Sequence, residues 1–163
     1  MKSKVAFLII DMQKNCKEGT AHLNIFDEAV EYINEVSTFF RERSLPVFII
    51  QDLEGGGPET EGFQCVEELI IQDQDIYLQK HYSNAFWQTD LEEKLRAMEV
   101  ETLIISGFAA EYCVLFTYNG AIERGFKAFM LQNGVAGVSL EGVQSISKLR
   151  SVIAYDALEY FLD

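Results

Sequence analysis

Positive charge is scarce in this chain. Thirteen lysines and arginines face 26 aspartates and glutamates across 163 residues, a formal net charge of −13. Such a surface repels a phosphate backbone or an anionic membrane, so neither nucleic acid nor membrane is an expected partner. Long apolar runs are missing too, and no stretch approaches the roughly 20 residues that span a bilayer. The run Val5–Ile10 ends in Asp11 with no small-residue cleavage site after it, so it reads as a strand and not as a secretory leader. Cysteine is sparse as well. Cys16, Cys65 and Cys113 are too few and too irregularly spaced for a disulfide framework or a zinc cluster, and a reducing, cytoplasmic setting is expected. No G-x-G-x-x-G follows the first strand and no G-x-x-x-x-G-K-[ST] occurs, which removes the usual dinucleotide and P-loop chemistries. Internal repeats and linkers are also lacking, so residues 1–163 are expected to form one domain.

What the chain does contain is an alternation of strand and helix signals. The runs "KVAFLII" and "LPVFII" flank a helical stretch from Phe26 to Arg43 with apolar positions at Ala29, Ile33, Val36 and Phe40. A flexible loop with Gly55, Gly56 and Gly57 precedes "DIYLQK"; a helix from about Thr89 to Met98 leads to "VETLIIS". A further helix after Cys113 closes at Gly125 and leads to "FKAFMLQ", and "SVIAYDALEYFLD" supplies a short strand and one or two helical turns. Continuous apolar strands separated by helices predict an α/β fold, a parallel sheet covered on both faces.

In such sheets ligands bind beyond the carboxyl ends of the strands, where the strand order reverses. Asp11, Asp52, Lys80 and Gly107 end the four strands concerned, and Cys113 lies just past Gly107. At the start of a helix a thiol meets unpaired N–H groups and the positive end of the helix dipole, which predicts a lowered pKa. Asp11 is then a candidate general base for Cys113, and Lys80 the cation that stabilises both charges. Each residue also has a purely structural explanation: Asp11 as a cap, Lys80 as a solvated strand end, Cys113 as core.

The segments "LIIDMQ", "LQKHYSNAFWQTDLEEKL" and "SGFAAEYCVLFTYNGAIERGF" together resemble the isochorismatase-like cysteine hydrolases, which include nicotinamidases and N-carbamoylsarcosine amidohydrolase. The resemblance implies a three-layer, Rossmann-like α/β/α fold with a six-stranded parallel sheet. It implies Cys113 as nucleophile, Asp11 as general base and Lys80 as their charged partner. It further implies a cis peptide at Phe108–Ala109, an oxyanion hole from the N–H groups of Ala109 and Cys113, and assembly into a homo-oligomer. The expected reaction is attack on an amide or ureido carbon of a small molecule, with a thioester intermediate. Members that cleave the vinyl ether of isochorismate generally lack the cysteine, so its retention favours C–N hydrolysis.

The chain departs from the family in two places. Metal-dependent nicotinamidases carry D-x-H after the second strand, whereas here Glu54 stands where the histidine would be, and neither His22 nor His81 matches a ligand position. No metal or other cofactor is therefore expected. Asp52 and Glu54 read as solvated loop carboxylates, with a hard cation as the other possibility, and nicotinamidase becomes the alternative activity. After the first strand, Cys16 replaces a family aromatic; it reads as a small apolar substitute or as a second thiol able to pair with Cys113 on oxidation. Tyr82, Phe86, Trp87 and Tyr112 complete the expected substrate pocket, with core or interface packing as their other reading. A non-catalytic binding or assembly role for the same fold is the reading from a different class.

Overall fold

The computed structural model describes residues 4–162; Met1 to Ser3 and Asp163 lie outside the described residues. Strand β1 (Lys4–Ile10) is followed by a short helix α1 (Lys14–Glu18) and the long α2 (Leu23–Glu42). Then come β2 (Val47–Asp52), β3 (Ile76–Lys80), α3 (Leu91–Ala97) and β4 (Val100–Gly107). A π-helical turn, Ala110–Val114, opens into α4 (Leu115–Glu123), followed by β5 (Lys127–Val135), α5 (Leu140–Leu149), β6 (Val152–Ile153) and α6 (Tyr155–Leu162).

The six strands form one sheet in the order β3-β2-β1-β4-β5-β6, with every pairing parallel. The chain leaves β1 toward β2 and β3, then returns to the other side of β1 as β4. The order therefore reverses between β1 and β4. β1 is the central strand, and from Val5 to Ile10 every residue is buried, as a strand covered on both faces must be. Its residues alternate between two cores. Ala6, Leu8 and Ile10 join Leu91 and Leu95 of α3, Tyr118 and Ala121 of α4 and Ile146 of α5. Val5, Phe7 and Ile9 join Phe26, Ala29, Val30, Ile33, Val36 and Phe40 of α2 and Leu158 of α6. The period-3.6 spacing in α2 presents one apolar stripe to the sheet, and each large side chain buried there contributes about 1.5–3 kcal/mol.

The helix expected over 26–43 starts three residues earlier, at Leu23. α5 has no counterpart in the sequence reading, although Leu140, Val143, Ile146 and Leu149 recur at helical spacing; only Ile146 is buried, with Val143 packed against the same core. The site residue Cys113 also sits in a different setting from the expected one. It lies in the π-helical turn, and regular α-helix begins two residues later at Leu115.

Candidate active site

Asp11 and Gly107 follow and end the two strands at the reversal. Gly107 has φ +113°, and a Cβ there would stand 2.0 Å from Ile10 O and 2.6 Å from Ile10 N, so only glycine lets β4 end against β1. The next residue, Phe108, donates its N–H to Ile10 O at 2.8 Å, and the Phe108–Ala109 peptide is cis. On the other strand, Asp11 donates its N–H to Ile50 O at 2.9 Å and adopts φ +52°, a left-handed backbone that aspartate tolerates better than most residues. The residue is 2% exposed, and Oδ1 is buried without a hydrogen-bond partner.

Lys80 ends β3, two strands away, and is 0% exposed. Its ammonium lies 2.5 Å from Asp52 Oδ2, 3.1 Å from Asp11 Oδ2 and 3.3 Å from Cys113 Sγ. Asp52 is its register partner on β2, which explains the closest of these contacts. Asp52 is thus an ion-pair member and not the solvated loop carboxylate expected from sequence. Gln13, the last residue of the D-x-Q motif, holds this strand end in place. Fully buried, it donates Nε2 to Asp52 O and Phe63 O at 3.0 Å each and accepts the Asp52 N–H at 2.8 Å. The motif itself was the signal for Gln13; its reach to β2 was not.

The charges set one another. Burial raises the Asp11 carboxyl to about 6, a rise opposed by Lys80 and the Cys113 thiol and reinforced by Asp52. Burial would lower Lys80, but Asp11, Cys113 and Asp52 outweigh it, so the ammonium stays protonated well beyond the usual lysine range. Burial, then the negative charge of Asp11, pushes the Cys113 thiol up to about 12 against the pull of Lys80. The expected lowering by a helix start is overturned. Desolvation of the sulfur and the adjacent carboxylate dominate, and the resting group is a neutral thiol drawn toward Asp11. Above pH 6 the site holds a free carboxylate, an ammonium and a protonated thiol, a set able to move a proton from sulfur to oxygen when an electrophile arrives.

The other expected pocket residues divide. Tyr82, Trp87 and Tyr112 are exposed. Phe86 is 4% exposed and stacks on Phe126 at 5.9 Å between centroids, inside the core against α3 and α4. Phe86 is a core residue, a correction to the pocket assignment: the chain turns so that Phe86 faces inward and Trp87 outward. Cys16 is half-buried in α1; burial, then the charge of Asp11 and the neighbouring Cys113, pushes its thiol to about 12. Cys65, unassigned from sequence, is paired with Gln13 by an antiparallel bridge and is raised to about 11 by burial and Asp11. All three cysteines are free thiols.

Among the described residues one group of three potential metal ligands comes together, Asp11, Asp52 and Cys113, with ligand atoms within 4.8 Å of one another. It contains no imidazole, and the Lys80 ammonium already sits against all three. Glu54 is exposed, as is His81. A transition-metal centre of the nicotinamidase kind does not fit these residues. No described helix is long and apolar enough to cross a membrane.

A family model, the isochorismatase domain, matches residues 5–154. The chain belongs to the isochorismatase family of hydrolases. It is 27% identical over 143 residues to the uncharacterized isochorismatase family protein YddQ of Bacillus subtilis, covering 83% of this chain and 79% of that protein. With N-carbamoylsarcosine amidase of an Arthrobacter species it shares 30% identity over 105 residues, 61% of this chain and 40% of the amidase. Its fold matches the isochorismatase-like hydrolase of Alkaliphilus metalliredigens at TM-score 0.83 with 24% identity, over 98% of both chains. The pyrazinamidase of Pyrococcus horikoshii in complex with zinc superposes at TM-score 0.80 with 23% identity, over 93% of this chain and 98% of that one.

Proposed function

We propose that the protein is a cysteine-dependent hydrolase of a C–N bond, amide or ureido, in a small molecule. The observation that carries this reading is the convergence on one buried ammonium: Lys80 lies within 3.3 Å of the Cys113 sulfur and 3.1 Å of Asp11 Oδ2. A fold kept only for binding has no need to bury a lysine between a thiol and a carboxylate, because burying charge is costly. The relationship to N-carbamoylsarcosine amidase supports the bond type.

In this mechanism Cys113 Sγ attacks the carbonyl carbon as its proton passes to Asp11. Lys80 steadies the charge that develops on sulfur. The N–H groups of Ala109 and Cys113 receive the oxyanion, which costs no reorganisation because they are fixed by the turn. The C–N bond then breaks, Asp11 returns the proton to the leaving nitrogen, and ammonia or an amine departs. Water, losing a proton to Asp11, hydrolyses the thioester and releases the acid and the thiol. Cys16, Tyr82, Trp87 and Tyr112 are the residues we assign to substrate contact. Exposed aromatics beside the site fit an assembly of like subunits, and we propose a cytoplasmic homo-oligomer that needs no metal.

The test is a panel of small amides and ureido compounds assayed for ammonia release, with the acyl-enzyme trapped and located by peptide mass spectrometry. Cys113→Ser should lose about 10³-fold or more in kcat and trap nothing. Turnover by that variant near the wild-type rate would point to direct attack by water, and a panel without any substrate would favour the binding role.

A further inference from the structure

Glu111 stands two residues before Cys113 in the π-helical turn, and its carboxylate leaves the turn for the next layer of the fold. Oε2 accepts the Val138 N–H at 3.0 Å and Oε1 accepts the Ser139 N–H at 3.1 Å. These groups open α5, where Ser139 is the N-cap and its Oγ accepts the Gly142 N–H at 3.0 Å. The helix entrance is shaped around the carboxylate. A Cβ on Gly142 would lie 2.1 Å from Oε1 and one on Gly137 would lie 2.5 Å from it. Neither glycine has a left-handed φ, so what they supply is space. Gly142 in particular occupies the first turn of a helix, where alanine is the better helix former.

The backbone joins the same two segments. Ala110 N–H donates to Ala136 O, and Ala136 N–H to Gly107 O, each at 2.9 Å; Thr20 Oγ1 braces the far side by donating to Gly137 O at 2.9 Å. The segment 136–139 therefore grips the nucleophile's turn at Gly107, Ala110 and Glu111. The first two grips are main-chain bonds that many sequences could make. Glu111 alone is a side-chain choice, matched by two glycines that make room for it.

We propose that Glu111 is a positioning residue, which fixes the orientation of Cys113 by clamping its turn to the start of α5. This rests on the reading of Cys113 as nucleophile. Glu111 is not among the charges that chiefly set Asp11 or Cys113, so its effect is geometric. A reacting atom displaced by about 1 Å costs on the order of 10²-fold in rate.

The experiment compares Glu111→Ala, Glu111→Gln, Gly142→Ala and the double variant Glu111→Ala/Gly142→Ala. Readouts are kcat and KM on an accepted amide, the rate at which iodoacetamide alkylates Cys113 as resolved by peptide mass spectrometry, and Tm. Glu111→Ala should lower kcat about 10- to 100-fold with KM nearly unchanged and should alter the Cys113 alkylation rate. Glu111→Gln, which keeps one acceptor oxygen, should recover part of the loss. Gly142→Ala should reproduce the kcat defect although it improves the helix, and the double variant should be no worse than the poorer single one, because both remove one contact. Wild-type kcat and alkylation in Glu111→Ala would overturn the proposal, as would Glu111 and Gly142 defects that multiply independently. If Cys113→Ser still turned over, the nucleophile reading would fail instead, and the Cys113 alkylation rates would still decide whether Glu111 holds the turn.

Discussion

Lys80 Nζ lies 3.3 Å from Cys113 Sγ, although 33 residues and two intervening strands separate their positions in the chain and the sheet. The same ammonium is ion-paired with both Asp11 and Asp52. Its removal should therefore be felt by all three groups. Lys80→Met should slow alkylation of Cys113 at pH 7, since the cation that lowers the thiol's pKa is gone. Asp11, buried and left without its cation, should also cost about 3–5 kcal/mol of stability at neutral pH, less in acid where its carboxyl, raised to about 6, takes up a proton. Unchanged thiol reactivity in this variant would show that Lys80 has no part in the chemistry.

Activity should rise with pH through a midpoint near 6. Below it Asp11 is protonated and cannot accept the proton of Cys113. The stability contribution of Asp11 runs the other way. Its native pKa is raised from 3.8, so the folded chain binds the proton more tightly than the unfolded one, and the stability this confers in acid is lost as pH rises through 6. Asp11→Asn, which suits the left-handed φ of +52°, should abolish acylation while leaving the fold intact. A kcat/KM profile flat between pH 5 and 7, read against the raised Asp11 titration, would remove Asp11 as the base.

Asp52 lifts the Asp11 pKa by its charge and draws Lys80 to itself at 2.5 Å. Asp52→Asn should remove the first effect and free Lys80 for Asp11, both of which favour the ionised Asp11. The acidic limb of the rate profile should then move below pH 6. A limb that stays in place would confine Asp52 to holding the strand end together with Gln13.

Phe86 provides a control for packing. Stacked on Phe126 in the core, it should cost about 3–5 kcal/mol when replaced by alanine, visible as a lower Tm, while KM per folded molecule is unchanged. Trp87→Ala should do the reverse, raising KM with little loss of stability, because its side chain is exposed. A KM effect at Phe86 as large as at Trp87 would return Phe86 to the pocket wall.

Turnover should survive exhaustive chelation. The one cluster of potential ligands among the described residues is two carboxylates and a thiol already in contact with an ammonium, with no imidazole among them. The check is ammonia release before and after dialysis against EDTA, with metal content measured by mass spectrometry. Activity that disappears and returns with zinc, manganese or iron would make a nicotinamidase-type mechanism the better reading.

Much of this protein is written in short windows of its sequence. Val5–Ile10 and Leu103–Ile105 are apolar runs closed by Asp11 and by Ser106 and Gly107, and that pattern suffices to make them the buried parts of parallel strands. The residues Asp11, Lys80 and Cys113 could be singled out for the same reason, since each stands at or just past the carboxyl end of a strand. What no window contains is the neighbour across the sheet. The register that sets Asp52 against Lys80, the reach of Gln13 from the turn after β1 to β2, and the grip of the entrance to α5 on Glu111 all join segments that sequence distance keeps apart. Phe86 and Trp87 are adjacent and equally apolar, and only the packing of α3 and α4 decided which one faced inward. The state of Cys113 was decided in the same way. A helix start close by is a local feature and favours the thiolate, but desolvation and the charge of Asp11 arise from the assembled site, and in the folded chain they outweigh it.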